Sequence, residues 1–244
     1  MSFWSKHAIF EKNSIVLVIG ILIVIAIGGL VEIVPLFYLK NTIEKVDGVR
    51  PYTPLELAGR NIYVREGCYV CHSQMVRPLT ADTARFGDYS KPEEFIYDHP
   101  FQWGSKRTGP DLHRVGGRYP NLWHYTHLMD PRSTTPGSNM PSYHWLEDGR
   151  IDAKLAGKKL ALMQKLGVPY SNDEIDGAEP AQRAQADAVV TDLAQQGVTV
   201  RWDSEMVALI SYLQRLGRDT GIKPAVLGAP AVSAATTSNQ EGGR

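Results

Sequence analysis

The 244 residues contain only two cysteines, Cys68 and Cys71. Once both belong to one local motif, nothing remains for a disulfide or a four-cysteine cluster. The chain also lacks an excess of charge. Lys+Arg 26 against Asp+Glu 26 leaves a formal net charge of +0, so there is no electrostatic case for nucleic acid or for an acidic surface as a partner. Any docking must use local patches. Length excludes little, because a chain of this size holds one sizeable domain or two small ones.

The two cysteines sit in Cys68-Tyr69-Val70-Cys71-His72. This is C-x-x-C-H, the pattern by which a c-type haem is attached. Two thiols three positions apart reach neighbouring vinyl groups on one edge of the porphyrin, and the next residue brings an imidazole to the iron. Cys68 and Cys71 are therefore candidates for covalent attachment and His72 for an axial ligand. Two other readings of the pattern compete. A zinc site needs a fourth ligand, and a thioredoxin-like dithiol wants a βαβ context that the sequence does not offer.

A long apolar run precedes this motif. It is unbroken from Ile15 to Val31 and resumes after Glu32 through Leu39. About 25 residues make roughly 37 Å of helix, enough to cross a hydrocarbon core of about 30 Å. A cleaved signal peptide is the weaker reading, although Lys6 and Lys12 precede the run and Ala26-Ile27-Gly28 is a small-x-small site. Signal cores run to about 7–15 residues, and this run ends in the interfacial pair Phe37-Tyr38. Lysines on both sides make the positive-inside count uninformative. Glu32 is read as an intramembrane carboxylate meeting a partner subunit or as a side chain snorkelling outward. Pro35 is expected to kink or end the helix.

Beyond the run, Thr53-Pro54-Leu55-Glu56 has the form of a capping box with proline at the first helical position, predicting a helix to about Glu66. From Ser73 to Lys106 the chain is turn-rich and is expected to be mostly loop. Its aromatic residues Phe86, Tyr89, Phe95, Tyr97, Phe101 and Trp103 serve either the domain's own core or a partner. In Thr108-Gly109-Pro110-Asp111-Leu112-His113-Arg114-Val115-Gly116-Gly117-Arg118, glycines allow close backbone approach to a flat ligand. Arg114 and Arg118 are candidate partners for haem propionates. The segment 151–200 reads as an insertion with helices near 153–166 and 179–196. Ser171 to Asp176 reads as a helix cap or turn, because an EF-hand's glycine and final glutamate are missing. An amphipathic helix is predicted over 203–217, and the composition after Lys223 predicts a disordered tail.

The iron needs a sixth ligand or an open position. Met140 is the choice, held in the proline-bracketed stretch Thr135-Pro136-Gly137-Ser138-Asn139-Met140-Pro141 after a predicted helix over 121–129. Met75 is too close to His72 to reach the opposite face, and Met129 belongs to a helix core. His113, His124, His127 and His144 are the imidazole alternatives.

The order of helix, C-x-x-C-H, Thr-Gly-Pro-Asp-Leu, Met-Pro loop and final helix ending Tyr212-Leu213-Gln214-Arg215-Leu216-Gly217 resembles the class I cytochrome c fold. Two stretches, Arg65 to Pro78 and Tyr97 to Leu112, resemble more closely the membrane-anchored monohaem subunit of the cbb3-type cytochrome c oxidases. The resemblance runs from the anchor to about Tyr143 and includes the final helix.

The resemblance implies a mainly α protein with one N-terminal transmembrane helix and a class I cytochrome c-like haem domain carrying an inserted helical segment. The parts are a cytoplasmic N-terminus over 1–14, an anchor over 15–39, a short linker over 40–52, a periplasmic domain over 53–221 with its insertion at 151–200, and a tail over 222–244. It also implies one covalently bound haem c, with Cys68 and Cys71 attached and His72 and Met140 on the iron. The Pro110 carbonyl would orient His72, while Gly59 and Tyr63 would cross the last helix near Leu209 and Tyr212. The chain would be a single-pass protein of the bacterial inner membrane. It would relay electrons from a c-type donor or a dihaem cytochrome c subunit to the b haems of a haem-copper catalytic subunit, which reduces oxygen to water and pumps protons. Its partners would be those two subunits and the lipid bilayer. The haem c subunit of a nitric oxide reductase, a free-standing tethered carrier and a gas sensor with an open sixth position are the competing readings. The Tyr97–Leu112 run argues against the first, a linker of only about 13 residues against the second, and Met140 against the third.

Overall fold

A computed structural model describes residues 7–38, 48–102, 104 and 106–219, with side chains as far as 36 in the first stretch. The interfacial pair Phe37-Tyr38 as side chains, the linker over 40–47, Trp103 and the tail over 222–244 lie outside that description. The chain divides into two units, Met1–Lys45 and Val46–Arg244.

In the first unit a short α1 (Ala8–Lys12) precedes α2 (Ser14–Tyr38). Asn13 starts the long helix, its side-chain oxygen accepting from the amides of Ile15 at 3.1 Å and Val16 at 3.3 Å, which satisfies donors that a helix start leaves free. Ser14–Leu36 is long and apolar enough to cross a membrane, with a mean hydropathy of 3.1. Pro35 neither ends nor interrupts α2, which runs on to Tyr38. A proline so close to a helix end removes little of the hydrogen-bond ladder.

The second unit is helical: α3 (Pro54–Arg65), α4 (Cys68–Cys71), α5 (Thr80–Phe86), α6 (Asn121–Met129), α7 (Pro131–Thr134), α8 (Trp145–Asp148), α9 (Ala156–Lys165), α10 (Asn172–Asp176), α11 (Ala178–Gln195) and α12 (Glu205–Arg215). Among the described residues the only β pairing is an isolated bridge between Arg150 and Ser204. The fold class is thus mainly α, consistent with a cytochrome c-like domain.

The capping box at Thr53 forms as its sequence predicts, with Thr53 N–H donating to Glu56 Oε2 at 2.8 Å and Glu56 N–H to Thr53 Oγ1 at 3.5 Å. The resulting α3 buries Leu55, Ala58, Ile62 and Tyr63 against α12, which buries Met206, Leu209, Ile210 and Tyr212. Each such aliphatic side chain contributes about 1.5–3 kcal/mol of burial. Gly59 makes the crossing close: a Cβ there would lie 2.8 Å from Tyr212 Cβ and collide with the Ala208 carbonyl. Tyr63 and Tyr212 meet at 5.4 Å between ring centroids.

The segment from Ser73 to Lys106 is not all loop. It contains α5 and a 3-10 turn over Pro92–Phe95, each burying an aromatic residue, Phe86 and Phe95. Tyr89 and Phe101 remain exposed. The inserted segment 151–200 is not an appendage either. Leu160, Met163, Val168 and Tyr170 build a second cluster around Leu57 of α3, and Ala186 and Leu193 of α11 join the main core. Its helices α9 and α11 fall close to their predicted spans, and Ser171 caps α10 through a second capping box.

Candidate haem site

Gly67, with φ of 71°, stops α3 and leads into the single turn α4. One turn places Cys68 and Cys71 on one side, three residues apart. Cys68 is half-buried and packs against the main core, whereas Cys71 is exposed. Burial pushes the Cys68 thiol up to about 12. Burial thus disfavours the thiolate at Cys68. After Cys71 the backbone becomes extended at His72, with φ of −116° and ψ of 124°.

The segments 71–73 and 109–112 run side by side. Gly109 N–H donates to the Cys71 carbonyl at 2.9 Å, and Leu112 N–H donates to the Ser73 carbonyl at 2.8 Å. Between those two bonds the His72 ring lies on the backbone of Gly109, where a Cβ would come within 2.6 Å of Nδ1 and 2.8 Å of Nε2. His72 Nδ1 is 2.8 Å from the Pro110 carbonyl oxygen. A carbonyl can only accept, so Nδ1 carries the proton and Nε2 keeps its lone pair. Burial lowers the His72 pKa, and the Pro110 hydrogen bond opposes that only in part. No hydrogen bond reaches Nε2 from the described residues, and a neutral imidazole with that nitrogen available is the form that ligates a metal.

A buried carboxylate locks the two segments together. Asp111 accepts from Ser73 Oγ at 2.5 Å, Met75 N–H at 2.8 Å and His113 N–H at 2.9 Å. Arg107 reaches the same group at 3.6 Å and Asp82 at 2.8 Å. Sequence reading did not single out Asp111, Ser73 or Arg107. Their signal was the repetition of one relation, with a polar residue directly after His72 and another directly after Pro110.

Met140 is half-buried and packs on the same core as Cys68 and Leu112. Its loop is tied to the end of α6 by Tyr143 N–H donating to the Leu128 carbonyl at 2.8 Å and Ser142 Oγ donating to the Met129 carbonyl at 2.6 Å. Met129 is half-buried too and packs on the same core, so burial does not separate the two thioethers. Among the imidazole alternatives, His113 is buried, lies 2.5 Å from Ser90 Oγ and stacks on Phe95. Burial takes its pKa down to about 3. His127 bonds Thr134 Oγ1 at 2.6 Å and stacks on Trp123. His124 is buried with Nε2 unpartnered, and His144 is exposed.

The two candidate propionate residues part company. Arg114 is buried and makes four hydrogen bonds, two to Glu94 at 2.6 and 2.8 Å and one each to the carbonyls of Asp88 and Tyr89 at 3.1 Å. Four of its five guanidinium N–H donors are thus used within its own loop. Arg118 forms no ion pair among the described residues, and its Nε is buried without an acceptor. Among the described residues its one side-chain hydrogen bond goes from Nη2 to the Arg85 carbonyl at 3.3 Å.

These residues fit a haem. The glycine cradle, the Nδ1–H imidazole, the adjacent pair of thiols, a thioether on the same core and an arginine with a spare buried donor are the groups that hold one. The family described as cytochrome c oxidase, mono-heme subunit/FixO, matches residues 7–220. No curated protein matches the chain.

Proposed function

The chain belongs to the cytochrome c oxidase mono-haem subunit family, and on that premise we propose that it relays electrons through one covalently attached haem c to the catalytic subunit of a cbb3-type oxidase. The observation that carries the reading is the His72–Pro110 hydrogen bond over Gly109, which prepares one imidazole nitrogen and only one for iron.

Cys68 and Cys71 are the residues that would hold the group, His72 and Met140 its two axial positions, and Arg118 one of its propionates. Haem c, when bound, supplies a one-electron iron couple. The protein's own part is to hold that couple still. Paired segments at 71–73 and 109–112, the Asp111 lock and the tied Met140 loop fix both ligands through backbone bonds, so gain of an electron needs little rearrangement. With both His72 and Met140 as its ligands the iron would have no open position for oxygen, and bond-making would belong to the catalytic subunit. Ser14–Leu36 is the anchor, and the haem domain stands on the periplasmic side of the bacterial inner membrane. Electrons arrive from a c-type donor or a dihaem cytochrome c subunit and leave for the b haems of the catalytic subunit, where oxygen is reduced and protons are pumped.

Purification in mild detergent without separating partners tests this, with reduced-minus-oxidised spectra, carbon monoxide difference spectra and oxygen uptake on one preparation. Co-purification of a c-type haem with b-type haems and oxygen consumption is the expected result. A stable monomer with a lone c-type spectrum would replace the relay with a free carrier, and a c haem that takes up carbon monoxide readily would point to an open sixth position.

A further inference from the structure

The outward face of α9 is neither ordinary surface nor core. Its inner side is accounted for, since Ala156, Leu160 and Met163 are buried in the cluster around Leu57. Beside that buried side, Leu162 of α9 and the leucines at its two caps, Leu155 and Leu166, are 60%, 39% and 54% exposed. Their spacing of seven and four residues puts them on one stripe. Lys158, Lys159 and Lys165 flank the stripe, and Lys154 precedes it. None of the four forms an ion pair among the described residues. From Ala153 to Asn172 the sequence has four lysines and no Asp or Glu.

Position adds a second observation. The cluster beneath α9 includes Tyr52, and Tyr170 Oη donates to the Tyr52 carbonyl at 2.6 Å. Tyr52 is on the chain as it enters the haem domain, 14 residues after α2 ends at Tyr38. The α9 face is thus built onto the part of the domain nearest in chain to the membrane span.

We propose that the outward face of α9 rests on the bilayer, its leucines in the interfacial layer and its lysines on anionic lipid headgroups. The proposal rests on Ser14–Leu36 being a membrane span. Lysines at a membrane surface keep their stems along apolar groups and their ammonium heads among phosphates, which is the arrangement displayed here. Carboxylates lie nearby at Asp152 before the segment and at Asp173, Glu174 and Asp176 on α10, but the only charged residues on α9 itself are lysines, and an anionic leaflet supplies the opposite charge over the whole face. The contact would hold the haem domain in one orientation with respect to the membrane.

The test is lysine acylation followed by mass spectrometry on the full-length haem-loaded chain in nanodiscs, of phosphatidylcholine alone or mixed with phosphatidylglycerol. Lys154, Lys158, Lys159 and Lys165 should react about fivefold more slowly in the anionic discs, with Lys91 unchanged as the control. Lys158→Glu and Leu162→Ser should each restore most of the reactivity with no change in the haem spectrum. Equal reactivity in both discs, in a chain that co-elutes with them, overturns the lipid contact and leaves the span intact. Protection already present in the detergent-solubilised oxidase without a bilayer assigns the face to a partner subunit and overturns it as well. A chain that does not co-elute with discs removes the span, and the proposal falls with it.

Discussion

Ser73 Oγ donates to Asp111 Oδ2 at 2.5 Å, which joins the residue after His72 to the residue after Pro110. The bond between His72 and Pro110 therefore sits inside a frame closed on both sides, by Gly109 to Cys71 and by Asp111 to Ser73. Asp111→Ala would leave three donors without an acceptor and Arg107 without one of its two carboxylates. A loss of about 3 kcal/mol or more in urea unfolding is expected. Asp111→Asn, which keeps the shape and some of the acceptors, should lose less.

Gly109→Ala tests the cradle from the other side. The added methyl would overlap the His72 ring, so ring or backbone must move by a substantial part of an ångström. The expected outcome is a haem with a displaced midpoint potential, or an apoprotein on expression. Potentiometric titration with pyridine haemochrome quantitation distinguishes these from a silent substitution.

Gly59→Ala acts at the crossing of α3 and α12, where backbone meets backbone. Overpacking of this kind costs about 1–3 kcal/mol, and contact with the Ala208 carbonyl places it at the upper end. Thermal unfolding of the haem-loaded chain should show the loss, while the haem spectrum in the folded state stays the same.

Met140→Ala should open the sixth position. The ferric charge-transfer band that reports thioether ligation should vanish, and the ferrous form should take up carbon monoxide. Unchanged spectra would transfer the ligand to another residue, and His124, with its unpartnered Nε2, would be examined next.

Buried His113 makes stability fall in acid. Burial holds its folded pKa at about 3, well below the ordinary histidine value of 6.5. Between those values the unfolded chain binds the extra proton and the folded one does not, so stability is complete above about pH 6.5 and declines as pH falls toward 3. The slope is about 1.4 kcal/mol per pH unit for this one group. His113→Gln should flatten that part of a stability-against-pH curve measured by denaturant unfolding.

Local chemistry was legible from the chain alone. Thr53-Pro54-Leu55-Glu56 specifies a capped helix because the bonds it makes lie within three residues, and C-x-x-C-H brings two thiols to one side because one helical turn sets their spacing. Apolar length makes Ser14–Leu36 a membrane-crossing candidate without any packing partner. Contacts between distant residues were decided only by tertiary structure. Arg114 and Arg118 look alike in sequence, yet one is consumed by Glu94, 20 positions away, and the other keeps a free buried donor. The segment over 151–200 appeared to be an added stretch, and packing of Leu160 and Leu193 onto α3 and α12 made it part of the core. Asp111 shows the same division: its charge is written in the sequence, but the donors that gather around it come from residues 73, 75, 107 and 113, which only the folded chain brings to one point.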